Sequence, residues 1–472
     1  MTPRACPSRN PEAGVALILA LFLVLVGSVM AASLTMLAQT ETYASLNYEL
    51  MSQARYGAES GIQRAANYLI NSYTAPDGVA ESLANYNMTV SPVTYNGQPV
   101  ILSANAAVSS NYPAAAVQTA FAAAAQGTLT AGRATVTYAP SATLISMKQV
   151  STYGGAVLTL QVWRITATGT IVSAGRTAEV DVESILERQT VPAQTYAAFA
   201  TNAGCGALKF AGGAVTNAYS SASLVAGAPV LGSGGDVGTN GNLTESGGAT
   251  INGSLSTPRV GVGNCSAGNV TALTSNGGAT VTGGAIHLPQ AVSLPIPTAP
   301  SPLPPTTNTN YNVNTTLTPA GGPYDNVKML AGATLHLSAG TYVFNTLTLA
   351  GNSILAIDSG PVILKVAGQS AVTAVDFTGG SVSNPGFDPS TFQVVYGGTG
   401  NVKLNGGANT AAVVYAPDAA ITFSGSSDFY GSVIGKTVTD LGGAKLHYDT
   451  SLQNKFMTAG NHMLTAFTWK KS

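Results

Sequence analysis

The hydrophobic pattern begins with a block. No charged residue occurs between Glu12 and Glu41, a run of 28 positions. Made helical at about 1.5 Å per residue, that run reaches ~42 Å, more than the ~30 Å hydrocarbon core of a bilayer. A secretory signal peptide is the competing reading, but the apolar run is about twice the usual length for one. It also continues without a break to Ile70, through Leu46, Leu50, Ala54, Ala58, Ile62, Ala65 and Leu69 at three- and four-residue steps. That spacing is the stripe of an amphipathic helix. The pattern therefore predicts one helix over residues 15–74, apolar and membrane-spanning first, amphipathic afterwards.

The period then shortens. Asn71 to Gly78 reads as a polar loop, followed by a short alanine-rich helix with Pro113 in its first turn and Gly127 just past its end. Thr135–Tyr138, Leu158–Thr166 and Ala178–Glu183 alternate with period two, and Ser173-Ala-Gly-Arg176 reads as a hairpin turn. Residues 75–192 are thus expected to form a small α+β region with an antiparallel sheet. Glu179, Asp181 and Glu183 share one strand face; paired acids can serve catalysis or hold a cation, but alternation with Ala178, Val180 and Val182 predicts a solvated sheet face.

Beyond Pro192 the texture is glycine-rich. Gly-Gly-Ala recurs at 212–214, 247–249, 277–279, 406–408 and 442–444, and Leu-Ala-Gly recurs at 330–332 and 349–351. The runs beginning at Val402, Ile421 and Val438 align with steps of 19 and 17 residues. Short apolar runs at such a period cannot bury a face alone and must stack on their neighbours. A parallel β-helix satisfies this, with Val402/Ile421/Val438 and Leu404/Phe423 in columns and glycines at the corners. Residues 193–288 and 307–472 form two such blocks, the second ending in a cap built from Phe456, Met463, Leu464, Phe467 and Trp469. Between them, residues 289–306 hold seven prolines in the 17 positions from Pro289 to Pro305, a polyproline II spacer. The fold class expected is α+β: a long N-terminal helix, a small antiparallel sheet and a large C-terminal β-solenoid.

Composition narrows the function. Charged residues make up 8% of the 472 and net charge is −1, which leaves no basic patch for nucleic acid. The 53 glycines suit short strands joined by tight turns. Arg4 and Arg9 precede the span and Glu41 and Glu49 follow it, so the positive-inside rule leaves everything after Thr40 outside the cytoplasm. In that oxidising compartment Cys205 and Cys265 are expected to bond, two free buried thiols being the alternative; Cys6 precedes the span. Asp358-Ser-Gly-Pro361 and the glycine-rich stretch 232–238 lack the surroundings that a nucleophile loop or a dinucleotide fingerprint needs. His287, His336, His447 and His462 have no metal-ligand spacing and read as surface or turn residues, and Asp376, Asp388, Asp418 and Asp428 form no calcium-binding run. No catalytic, cofactor or metal site is expected.

A polar leader ending in Gly14, an immediate apolar helix and Ala54-Arg-Tyr-Gly-Ala-Glu-Ser-Gly61 resemble the N-terminal domain of PilX-type pilus assembly proteins, minor pilin-like components of type IV pili. The resemblance covers roughly residues 10–70. It implies a leader over residues 1–14, cut by a prepilin peptidase between Gly14 and Val15, and an assembly helix that includes Leu19 and Glu59. Leu19 stands where major pilins carry a glutamate, which favours a minor or assembly role. The implied partners are the inner membrane, other pilins and the peptidase, with a surface ligand for the solenoid as tip, adhesive or spacer. A pilus-independent anchored adhesin and a β-helix carbohydrate enzyme are the alternatives.

Overall fold

The computed structural model describes residues 12–78, 81–131, 134–155, 157–173, 175–384, 386–405, 410–426, 428–465 and 467–471. The Gly-Gly-Ala repeat at 406–408 and all but the last three leader positions lie outside them. The chain has one long N-terminal helix and is otherwise mostly strand, in two compact units. Unit 1 comprises residues up to Met147, Gln161–Glu187 and Met463 onward; unit 2 comprises Lys148–Leu160 and Arg188–His462.

In unit 1, helix α1 runs from Glu12 to Asn71. Its second half follows the expected stripe: Leu50, Ala54, Ala58, Ile62, Ala65 and Leu69 are all buried, against an antiparallel sheet that includes Ala134–Ser151, Val157–Ser173 and Arg176–Pro192. The small residues have a steric cause. A Cβ on Gly57 would fall 2.3 Å from Val136, and one on strand residue Gly169 would fall 2.0 Å from the Ala54 carbonyl oxygen and 2.7 Å from the Ala58 nitrogen. The Ala-Arg-Tyr-Gly-Ala-Glu-Ser-Gly stretch is thus the place where helix backbone rests directly on strand backbone. Helix α2, Ala115–Ala125, packs Phe121 edge-on against Tyr68; Pro113 precedes its N-cap, Ala114, and lies outside its first turn. The hairpin turn falls where expected, with Ser173 and Arg176 paired.

Unit 2 holds a 20-stranded closed sheet whose strand pairs run parallel. One apolar column passes through Thr309, Val327, Leu347, Val375, Val402, Ile421, Val438, Leu208, Leu243 and Leu273, each the register partner of the next. A second runs through Tyr342, Leu364, Val394, Val414, Val433, Ala198, Val237, Leu255 and Ala285. The expected alignments Val402/Ile421/Val438 and Leu404/Phe423 are register partners.

The order in these columns is not chain order. The strands of 308–449 come first, and those of 198–287 dock on their far end, Val438 on Leu208 and Lys445 beside Val215. The proline-rich segment therefore has to run back along the whole stack. Ten rungs at about 4.8 Å span ~43 Å, and residues 289–306 in polyproline II at about 3.1 Å each reach ~56 Å. Along the way its carbonyls are held by Asn240 (to Val292, 2.9 Å), Tyr415 (to Pro295, 2.7 Å), Gln369 (to Pro304, 2.8 Å) and Asn326 (to Thr306, 2.9 Å).

The Gly-Gly pairs at 212–213, 247–248 and 277–278 are turns that pack one on the next. Gly212, Gly213, Gly247, Gly248, Gly277 and Gly278 all have φ between 61° and 77°, in the left-handed region. A Cβ on Gly247 would sit 3.1 Å from the Gly212 nitrogen, and one on Gly277 3.2 Å from the Gly247 nitrogen. Beside the last rungs Cys205 and Cys265 are bonded, with Cα atoms 5.6 Å apart. Closing a loop of 60 residues contributes ~4 kcal/mol on the chain-entropy model.

The expected C-terminal cap is corrected. Thr468–Lys471 pairs antiparallel with Glu183–Val180, and Leu464 and Phe467 pack into the core beneath α1, so this end completes the sheet of unit 1. The alternate apolar positions that suggested a cap are used by that core instead; Phe456 remains in unit 2, its ring 4.4 Å from that of Tyr153.

Gly169→Val is expected to lower unfolding stability by about 3 kcal/mol, at the upper end of overpacking costs. Gly27→Ala, where nothing lies within 4 Å, should cost nothing. Denaturant midpoints of the two variants in detergent check both.

Candidate functional site

The surface that most needs a partner is the first half of α1. From Val15 to Ser45 every residue is exposed, and Val15, Leu17, Ile18, Leu19, Leu21, Phe22, Leu23, Val24 and Leu25 are bare apolar side chains. Contiguous apolar exposure on this scale is unstable in water and marks a membrane or protein contact. Within it, Ser28, Ser33 and Thr35 return their hydroxyls to carbonyls three or four residues earlier, so their polar atoms are satisfied inside the helix. It is the one helix among the described residues long and apolar enough to cross a bilayer.

The expected assembly residues fall on this helix. The Gly14–Val15 bond lies in its first described turns, and Leu19 is exposed. Glu59, in the packed half, forms an ion pair with Arg55 at 2.8 Å on the solvent side. Cys205 and Cys265 lie apart from it, in unit 2. The fold does not bring these residues together into a single site.

Acids elsewhere are paired at the surface of unit 2. Asp376, Asp418 and Asp428 each face a basic residue from another strand, Lys403 at 3.6 Å, Lys436 at 3.3 Å and His447 at 2.8 Å, and Asp388 meets Lys455 at 2.8 Å between two short helical turns. Asp358 meets His336 at 3.0 Å, and Ser359 accepts a hydrogen bond from the Ala339 nitrogen, as turn residues do. Glu179 and Glu183 are exposed on the strand face opposite Val180 and Val182, as alternation requires. Among the described residues no three potential metal ligands come together.

Three buried groups escape sequence reasoning. His447, expected at the surface or in a turn, is fully buried: its Nε2 meets Asp428, its Nδ1 has no partner among the described residues, and burial lowers its pKa. Asp440 and Glu245 occupy equivalent places just before Gly-Gly turns, in register with Phe210 between them. Asp440 Oδ1 accepts from the nitrogens of Gly442 (3.1 Å) and Ala444 (3.2 Å), tying its own turn, while burial pushes its carboxyl up to about 6. Burial also raises the Glu245 carboxyl, only partly offset by Ser275, whose hydroxyl donates to the Ala279 carbonyl. Both are acids two residues before a Gly-Gly pair, but the same place elsewhere is Phe210 or Ser275, so the position alone gave no signal of burial.

In unit 1, Tyr112 donates to Glu81 at 3.1 Å, Tyr86 also donates to Glu81, and Gln161 donates to Tyr73. Desolvation raises the tyrosine pKa values, Tyr73 to about 12, so none ionises near neutrality; the cluster fastens the chain after α1 to the sheet.

A family model described as a domain of unknown function (DUF7305) matches residues 304–455, the first part of the stack in spatial order. No curated protein sequence matches the chain. Among solved structures, the crystal structure of competence-associated pilin ComZ from Thermus thermophilus is similar at 11% identity, covering 90% of this chain and 98% of that one, with a TM-score of 0.20. A score that low does not align the two folds.

Asp440 sets a pH dependence. Its folded pKa of about 6 lies above its ordinary 3.8, so the folded state holds the proton more tightly. Stability is therefore highest below pH 4 as far as this group is concerned, and falls by roughly 3 kcal/mol as pH rises from 3.8 through 6. Asp440→Asn keeps the Oδ1 acceptor and carries no charge; it should raise the melting temperature at pH 7.5 and flatten the decline between pH 4 and 6. An unchanged slope in scanning calorimetry contradicts this assignment.

Proposed function

We propose that this protein is a non-enzymatic, minor pilin-like component of type IV pilus assembly, and that the stack of unit 2 is a β-solenoid presented outside the inner membrane. The observation that carries the reading is the division of α1. One continuous helix is bare and apolar over residues 15–37 and packed, through small residues, over residues 50–69. A helix built this way fixes a folded body to a bilayer, or to the apolar helices of other subunits, by the same surface. The resemblance of residues 10–70 to PilX-type proteins gives that surface its partners: a prepilin peptidase acting between Gly14 and Val15, then other pilins.

The solenoid reading rests on the two ten- and nine-residue columns and on the stacked Gly-Gly turns. With few charges, several of them in ion pairs, such a body serves as tip, spacer or adhesive surface and not as a catalyst. Leu19, an apolar residue in a place where major pilins carry an acid, favours a minor subunit. It also supports the second reading, a surface scaffold anchored permanently by α1 without pili.

Co-expression with a prepilin peptidase should yield a chain beginning at Val15, and that chain should appear in the sheared pilus fraction. A chain that keeps its leader and stays in the membrane fraction, with and without the pilus machinery, overturns the pilin-like reading in favour of the permanent anchor.

A further inference from the structure

We propose that the hairpin joining Val157–Ser173 to Arg176–Pro192, together with Tyr43 of α1, is a docking surface for zwitterionic lipid headgroups. This rests on the reading of α1 as membrane-spanning and adds a second, peripheral contact to it.

The height of the hairpin is fixed by contacts within unit 1. Arg176, at its tip, places its guanidinium carbon 4.4 Å over the Tyr43 ring, and its Nη1 donates to Asn47 Oδ1 at 3.1 Å. Tyr43 lies three residues beyond Thr40, the last of the uncharged run, hence about 5 Å further along the helix axis. The run exceeds the ~30 Å core, so with its outer end at the hydrocarbon boundary the tip sits at headgroup level. The surface is continuous with the apolar helix that emerges from it.

Its composition fits that level. The outward face of the first hairpin strand carries Thr168 and Thr170, then changes at the tip to Val172, which is 63% exposed. An apolar residue at this level can enter the interface. Tyr43 and Tyr48 are 52% and 78% exposed, and tyrosines gather at this level of a bilayer because the ring is apolar and the hydroxyl wet. Charges of both signs are present: the Arg176 guanidinium, suited to a phosphate in bidentate fashion, and the exposed carboxylates Glu41 and Glu49 on the neighbouring helix turns. A purely anionic surface would be repelled by the two acids. Those acids lie on the helix face away from Tyr43 and Asn47, so neighbouring headgroups, by phosphate on one side and ammonium on the other, answer both signs.

The test uses the full chain with Cys6→Ser, reconstituted in phosphatidylethanolamine and phosphatidylcholine vesicles. An environment-sensitive fluorophore is placed on one new cysteine at a time, the native pair being bonded. Val172→Cys should be quenched several-fold more by nitroxide headgroup lipid than Ser109→Cys, on the loop ahead of α2, and Arg176→Ala should reduce that quenching. Leu25→Cys, quenched by acyl-chain nitroxide, reports the span itself. If Leu25 is quenched and Val172 is no more quenched than Ser109, the headgroup contact is overturned and the span stands. If Leu25 is not quenched, both fall. A Val172 signal indifferent to Arg176→Ala overturns the role given to the guanidinium.

Discussion

The docking of strands 198–210 onto strands 433–440 is the contact on which the rest of unit 2 depends. It joins two stretches of chain more than 220 positions apart, Val433 with Ala198 and Val438 with Leu208, by the same parallel ladder that joins consecutive rungs elsewhere. Without it there would be two short stacks, each with an additional open end, on a flexible tether. With it, one apolar core passes through the junction without interruption. The proline strap follows as a geometrical necessity: a chain that has finished its last rung at His287 must return to begin the first at Asn308. An extended segment without its own hydrogen bonds, held at intervals by Asn240, Tyr415, Gln369 and Asn326, does this without disturbing the core.

The junction also explains where the cost of stacking is borne. Turns that must lie directly on one another leave no room for side chains, hence the left-handed glycine pairs. A carboxylate placed just before such a turn can tie it, as Asp440 does, but is buried by the next rung and pays in desolvation. The disulfide lies beside the last rungs, where a quasi-one-dimensional stack would open first.

Much of this was legible beforehand, for reasons that can be named. A 3.6-residue stripe and an uncharged run are local signals, and α1 follows both. The Gly-Gly-Ala motifs and the steps of 19 and 17 residues mark rungs, because each rung needs its own turn, so Val402, Ile421 and Val438 could be aligned without a structure. What was hidden is long-range. Periodicity carries no information on which rung docks on which, so nothing in Leu208 announces Val438 as its neighbour. The destination of the C-terminal strand was misread for the same reason: Leu464 and Phe467 fit any apolar face. His447 was misplaced because a lone histidine in an alternating strand has the same pattern whether it faces in or out. For the candidate site, the bare helix was plain from composition, whereas the hairpin beside Tyr43 required tertiary contacts to find.

The rung order is tested most directly by a cross-link across the junction. Val215 and Lys445 are register partners in adjacent parallel strands. Mild oxidation of the folded double variant Val215→Cys, Lys445→Cys should give a disulfide between peptides from the two glycine-rich blocks, found by mass spectrometry. If both cysteines in the folded chain react freely with maleimide and no such cross-link forms, the blocks are separate bodies on a tether and the account of a single stack is wrong.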